Sequence, residues 1–159
     1  MLHAVNHSAV KAGLFLLAGN FLAAYRTKTI ARVAGGIRRL PASGLLWLAG
    51  LFAIAGSPPF GTFASEFTIL KEAFAPGRTA IGIAVLAALA IAFAGMSKAF
   101  LGMALGRPPD DAPAEQEAAA TVWPALALLA VSLVLGFWIP SGLQAGLVHA
   151  ARLLGGGVP

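Results

Sequence analysis

Residues 43–74 read SGLLWLAGLFAIAGSPPFGTFASEFTILKEAF, with two apolar runs on either side of a Ser-Pro-Pro-Phe-Gly sequence at 57–61. Each run is shorter than the roughly 20 residues that a helix needs to cross a bilayer. Proline removes a backbone donor and clashes with the preceding turn, so Pro58 and Pro59 should break the helix. Broken backbone at membrane depth is tolerated where it is packed in protein or lines a cavity. We therefore predict one discontinuous transmembrane helix over residues 42–74, with a tight hairpin outside the membrane as the alternative.

The composition of the whole chain indicates an integral membrane protein. Of its 159 residues, 58% are hydrophobic and 11% are charged, whereas about a quarter of the residues of a soluble domain are charged. The apolar residues lie in long blocks, which is typical of a polytopic helical protein. The chain has no cysteine, which excludes disulfides, thiolate metal sites and cysteine-bound clusters. The predicted fold class is an all-α membrane helix bundle.

Three further apolar blocks are each long enough to cross the membrane: residues 2–25, 79–105 and 121–139. With the broken segment they make four spans in a single membrane domain, 1–159. After Pro140, apolar residues at helical spacing in 141–154 are compatible with a short interfacial helix.

The loop of residues 26–40 sets the predicted orientation. It holds five basic residues and no acid. By the positive-inside rule this loop is cytoplasmic, in a multi-pass protein of the bacterial inner membrane. The same rule explains the net charge of +5 without a nucleic-acid partner. The basic residues are Arg26, Lys28, Arg32, Arg38 and Arg39.

Ionisable side chains at membrane depth are expensive and so are candidates for function. His7 and Lys11 stand four residues apart, on the helix face that also carries His3. A neutral histidine beside a lysine can pass a proton, so we predict a proton path through His7 and Lys11. The alternative is that such groups only bond to the backbone or to partner helices, and for His3 we favour that alternative.

Glu66 is the only acid among the first 71 residues, and it follows the proline break. A lone carboxyl group in an apolar helix is suited to protonation and release, so Glu66 joins the predicted path. A structural ion pair or a helix-dipole interaction is the alternative. Lys98 lies seven residues before the end of the third span. It is a further candidate for the path, but it is also close enough to that end to extend to the membrane surface.

Several kinds of site find no support in the sequence. It contains no G-x-G-x-x-G, no P-loop and no metal-spaced cluster of histidines. We therefore predict no catalytic residue, no cofactor and no metal in this chain.

Two motifs, in order around the basic loop, resemble a known family. Residues 7–19, HSAVKAGLFLLAG, and residues 54–70, IAGSPPFGTFASEFTIL, resemble the proton-translocating antiporter-like membrane subunits of respiratory complex I. The resemblance is closest to hydrogenase-4 component F and to the formate hydrogenlyase membrane subunits. It covers most of residues 2–74, with Gly35 and Gly36 in the loop between the motifs.

The resemblance implies about fourteen transmembrane helices in two inverted repeats, each with one broken helix. This chain would match the last four helices, as a carboxyl-terminal fragment of about a third of the family length. His7 and Lys11 would match the histidine and lysine of the family's central axis. Glu66 would match the ionisable residue of the second broken helix, which is lysine in some members and glutamate in others.

The function that the resemblance implies is proton translocation in the membrane arm of a hydrogenase-4 or NADH-quinone oxidoreductase type complex. The chain would be a non-redox subunit of that oxidoreductase, driven by electron transfer in partner subunits. Its direct partners would be other membrane-arm subunits and the lipid bilayer.

Three other functions remain open from the sequence. A stand-alone cation/proton antiporter subunit would have no redox partner. A structural packing subunit would use a seam of small residues at Ala49, Ala53 and Ser57. A haem-bearing anchor would use His7 and His149, and the absence of a Soret band would exclude it.

Overall fold

The computed structural model describes residues 1–107 and 115–155, and its regular structure in these ranges is helical. The fold class predicted from composition is confirmed. Within these ranges, three helices are long and apolar enough to cross a membrane: α1, α5 and α6. The helices are α1 Leu2–Tyr25, α2 Gly36–Arg39, α3 Pro41–Ile54, α4 Gly61–Ala73, α5 Thr79–Leu105, α6 Ala119–Phe137 and α7 Ser141–Leu153, with a 3₁₀ turn at Ile30–Arg32.

Helices α3 and α4 are stacked end to end along α1. Successive residues of α3 and then α4 contact successively earlier residues of α1, so both half-helices run antiparallel to it. A hairpin would instead have brought α3 and α4 side by side over the same part of α1. The two therefore form one interrupted span, as the proline motif predicted. The contacts, in order, are Ser43 with Asn20, Gly50 with Leu14, Gly61 with Asn6, and Ser65 with His3.

The remaining long helices pack around this pair. Trp47 of α3 stacks on Phe100 of α5, with ring centroids 4.3 Å apart, and meets the edge of Phe21 of α1 at 5.3 Å. Helix α6 packs along α1, where Gly13 lies against Ala125. The outward faces of these helices expose large apolar side chains, which suits a bilayer and would be costly in water.

A group of polar side chains stabilises the N-terminal end of α3 through hydrogen bonds. These are Arg39, Glu115, Glu117 and Asn20. The Arg39 guanidinium donates to Glu115 Oε1 at 2.6 and 2.8 Å and to the Ala24 carbonyl at 2.8 Å. Both oxygens of Glu117 accept backbone N–H groups of the first turn of α3, from Ala42 at 2.7 Å and Ser43 at 3.0 Å. Because α3 has no side-chain cap of its own, Glu117 satisfies donors that would otherwise lack a partner.

We expect Glu117→Ala to loosen the first turn of α3. Losing a cap of this kind costs about 1 kcal/mol, which corresponds to roughly fivefold faster amide exchange at Ala42 and Ser43. Hydrogen–deuterium exchange on a peptide covering the start of α3 measures the change. The control is Glu72→Ala, which removes an exposed acid near the end of α4. Unchanged exchange at Ala42 and Ser43 would show that the carboxylate does not cap this helix.

Candidate functional site: ionisable residues at the broken helix

The break between α3 and α4 spans residues 55–60 and includes the predicted Pro58-Pro59 pair. Helix α3 ends at Ile54, and Gly56 follows with a positive φ of 65°, which glycine adopts without steric cost. The Thr62 hydroxyl of α4 donates across the break to the Ala53 carbonyl of α3. This bond ties the two half-helices together, and the same carbonyl also accepts the Gly56 backbone N–H at 3.4 Å.

Two glycines let neighbouring helices approach the break closely. A Cβ atom at Gly136 of α6 would overlap the Pro59 carbonyl oxygen, and one at Gly61 would overlap the Asn6 side chain of α1. Asn6 is fully buried against α4, and its Oδ1 atom has no hydrogen-bond partner among the described residues. The break is thus packed in protein, as irregular backbone at membrane depth requires.

The Glu66 side chain turns back toward the break. Its carboxyl group occupies the space beside Gly56, where a Cβ atom would overlap Glu66 Oε2. The side chain is only partly exposed. The carboxyl group therefore lies where the span is interrupted, rather than on a lipid-facing surface.

Two histidines of α1 extend from this carboxyl group along the helix. His3 Nδ1 is 3.1 Å from the hydroxyl of Ser65, the residue preceding Glu66. That hydroxyl also lies 2.8 Å from the Thr62 carbonyl and 3.1 Å from the Gly61 carbonyl. In the tautomer that carries its proton on Nδ1, His3 donates to the hydroxyl oxygen and Nε2 is its basic nitrogen. The His3 and His7 ring centroids are 5.4 Å apart.

Glu66, His3, His7 and Lys11 therefore form an ionisable row from the break along α1. Their order follows from geometry: His3 contacts Ser65, which precedes Glu66, the His3 and His7 rings are adjacent, and Lys11 lies one helical turn after His7. The sequence favours a structural role for His3, whereas the structure places it between Glu66 and His7. The signal is present in the sequence, because His3, His7 and Lys11 share four-residue spacing.

The two lysines lie at different places relative to the row. Lys11 ends it and lines a cleft with Phe15 of α1 and Met96 of α5. Lys98 lines another cleft, next to Ile30 and Ala34 of the basic loop. The cleft that Lys98 lines contains no residue of the row, so the structure brings together His7, Lys11 and Glu66 and sets Lys98 apart.

The described residues contain no group of three or more His, Cys, Asp or Glu side chains that could hold a metal ion. What the row can do chemically is accept and release protons. It combines a carboxyl group, two imidazoles and an amine, which are the groups that carry protons through membrane proteins.

These features define a polytopic helical membrane protein with a discontinuous helix and protonatable groups beside the break. Residues 1–93 match the family described as "NADH:quinone oxidoreductase/Mrp antiporter, TM". The chain belongs to this family, which confirms the resemblance drawn from the two motifs.

Three relatives show the range of the family. The chain is 26% identical to an Na(+)/H(+) antiporter subunit of Bacillus subtilis, over 83% of this chain and 27% of the relative. It is 40% identical to the hydrogenase-4 component F homolog of Methylacidiphilum infernorum, over 47% of this chain and 16% of the relative. It is 31% identical to formate hydrogenlyase subunit 3 of Escherichia coli, over 56% of this chain and 17% of the relative.

The chain spans less than a third of the length of each of these relatives. No solved structure gives a significant match to it.

Proposed function

We propose that this chain belongs to a membrane-arm subunit of a hydrogenase-4 or NADH-quinone oxidoreductase type complex in a bacterial inner membrane. The subunit translocates protons, and electron transfer in partner subunits drives it. Relatives named hydrogenase-4 component F homolog and formate hydrogenlyase subunit 3 support this choice of complex. The basic loop of residues 26–40 lies on the cytoplasmic side.

The ionisable row at the broken helix is the observation that carries the proposal. A proton on Glu66 passes to the basic Nε2 of His3, then to His7, and then to Lys11. The 5.4 Å between the His3 and His7 ring centroids calls for a ring rotation or a bridging water. Each transfer moves one proton from an acid to a neighbouring base, so no redox group is needed within the chain.

The break gives the row its place in the span. A continuous helix would satisfy its own backbone and would carry Glu66 along a regular face. The interruption instead leaves the space beside Gly56 for the Glu66 carboxyl group, at the depth where such broken helices bind ions and substrates in transporters. Lys98 is a later carrier in this proposal, on the side of the basic loop, and its part requires its own test.

A stand-alone cation/proton antiporter subunit is the second candidate function. It is favoured by relatives named as Na(+)/H(+) antiporter subunits in Bacillus subtilis and Alkalihalophilus pseudofirmus. The same row would then exchange protons against a cation gradient, with no electron donor.

Inverted membrane vesicles that contain the complete protein distinguish the two functions. A redox complex acidifies the vesicle interior when its electron donor is added, and the chain co-purifies with redox subunits. An antiporter needs no donor, and it dissipates an existing pH gradient when sodium is added. Sodium-driven collapse of the gradient without a redox partner would overturn the first proposal in favour of the second.

A further inference from the structure

Two clefts flank the basic loop at the end of the bundle where α1 and α5 finish. The first has a volume of about 330 Å³ and lies between α1, α3 and α5, with Lys28 in its lining. The second has a volume of about 440 Å³ and lies between the loop and α5, with Lys98 in its lining. The volumes fall in or near the range of pockets that hold ligands.

The two clefts share one apolar wall. Apart from Thr27, Lys28 and Lys98, the side chains that line them are apolar. Ile30, Val33 and Met103 line both of them, so they run side by side with the loop between them. Gly102 of α5 lines the second cleft and has open space where a side chain would begin. Two adjacent, largely apolar clefts beside one basic loop match the two acyl chains of a single glycerophospholipid.

The rim of the clefts is cationic. Lys28 lines the first cleft and Lys98 the second, and Lys98 is close enough to the end of α5 for its ammonium group to reach the membrane surface. Arg32 lines neither cleft, but it is exposed between Ala31 and Val33, which line the second. No acidic side chain lines either cleft within the described residues. The ion pair of the described chain joins Arg39 to Glu115, so it involves none of these cations.

We propose that the two clefts bind one anionic glycerophospholipid, with an acyl chain in each cleft and the phosphate group between Lys28 and Lys98, on the side of the exposed Arg32. Basic pockets between transmembrane helices at this depth suit anionic headgroups. A zwitterionic lipid would fill the same apolar space but would leave the cationic rim without a net counter-charge. Lys98 belongs to both this site and the proposed proton path, so the test of this site measures lipid binding and not proton pumping.

Native mass spectrometry of the complete subunit in detergent tests the site. Phosphatidylglycerol and phosphatidylcholine with identical acyl chains are titrated in separate samples. We expect Lys28→Gln with Lys98→Gln to weaken phosphatidylglycerol binding by about thirtyfold and phosphatidylcholine binding by less than about twofold. The matched control is Lys71→Gln with Arg78→Gln, which removes two cations from the other end of the bundle and should leave both affinities unchanged.

A second variant tests the clefts without changing charge. Gly102→Leu adds a side chain to the open wall of the second cleft and should weaken binding of both lipids. The site is overturned if the unmodified subunit binds the two lipids equally, or if the control pair weakens phosphatidylglycerol binding as much as the test pair. It is also overturned if Gly102→Leu has no effect, or if a partner helix fills the clefts and no lipid binds.

Discussion

Replacing Glu66 with glutamine should lower donor-driven proton pumping by the complete complex about a hundredfold, the scale expected when a positioned proton carrier is lost. Glutamine has nearly the same shape, so it can occupy the space beside Gly56 that the carboxyl group fills. It cannot take up and release a proton, and the row would lose its first member. Acidification of inverted vesicles after addition of the electron donor measures the rate.

The control for this prediction is Glu72→Gln, the same chemical change on the same half-helix. Glu72 is exposed near the end of α4, away from the break, and pumping should stay within about twofold of the unmodified rate because surface substitutions have small effects. The yield of co-purified partner subunits shows whether each variant assembles. Normal pumping by an assembled Glu66→Gln complex would remove Glu66 from the proton path.

The second large effect is expected from Gly136→Ala, a change of one methyl group. That methyl group would overlap the Pro59 carbonyl oxygen and press on the backbone of Phe60 and Gly61. Backbone cannot rotate away as a flexible side chain can, so α6 and the broken helix must separate. We expect a loss of about 3 kcal/mol, the upper end of the range for overpacking.

Thermal unfolding in detergent measures this loss. Gly19→Ala in α1 is the matched control, because a Cβ atom there meets nothing within 4 Å and alanine is the better helix former. Gly19→Ala should therefore melt at or slightly above the temperature of the unmodified chain. If Gly136→Ala also melts there, the close approach of α6 to the break does not contribute to stability.

The broken helix shows which structural features the sequence predicts and which it does not. Two apolar runs too short to span, joined by Pro58-Pro59, predicted both the interruption and its position. They left open whether the two halves continue each other or fold into a hairpin. Contacts along α1 decide this, since Ser43 meets Asn20 whereas Ser65 meets His3. Whether a proline break gives a continued span or a hairpin depends on the neighbouring helices. The local sequence does not specify how those helices pack.

In the candidate site, too, some features could be predicted from the sequence and others depend on the fold. Four-residue spacing placed His3, His7 and Lys11 on one face of a helix, because helical periodicity is a local property. The position of Glu66 next to that face depends on the angle at which α4 leaves the break, which is a property of packing. Lys98 became a candidate for the proton path because it lies in an apolar segment. Its position beside the basic loop is visible only in the fold.

The sequence by itself determined the class of protein, the apolar segments and the break. These follow from composition, from the length of a bilayer span and from proline chemistry. The family followed from the resemblance of two motifs, residues 7–19 and 54–70. The tertiary structure decided that His3 stands between Glu66 and His7 and that Glu117 caps α3. It also decided that Gly136 meets the backbone of the break and that Gly61 meets the Asn6 side chain. Each of these contacts joins residues that are distant in the sequence. The packing of the helices determines which of them meet.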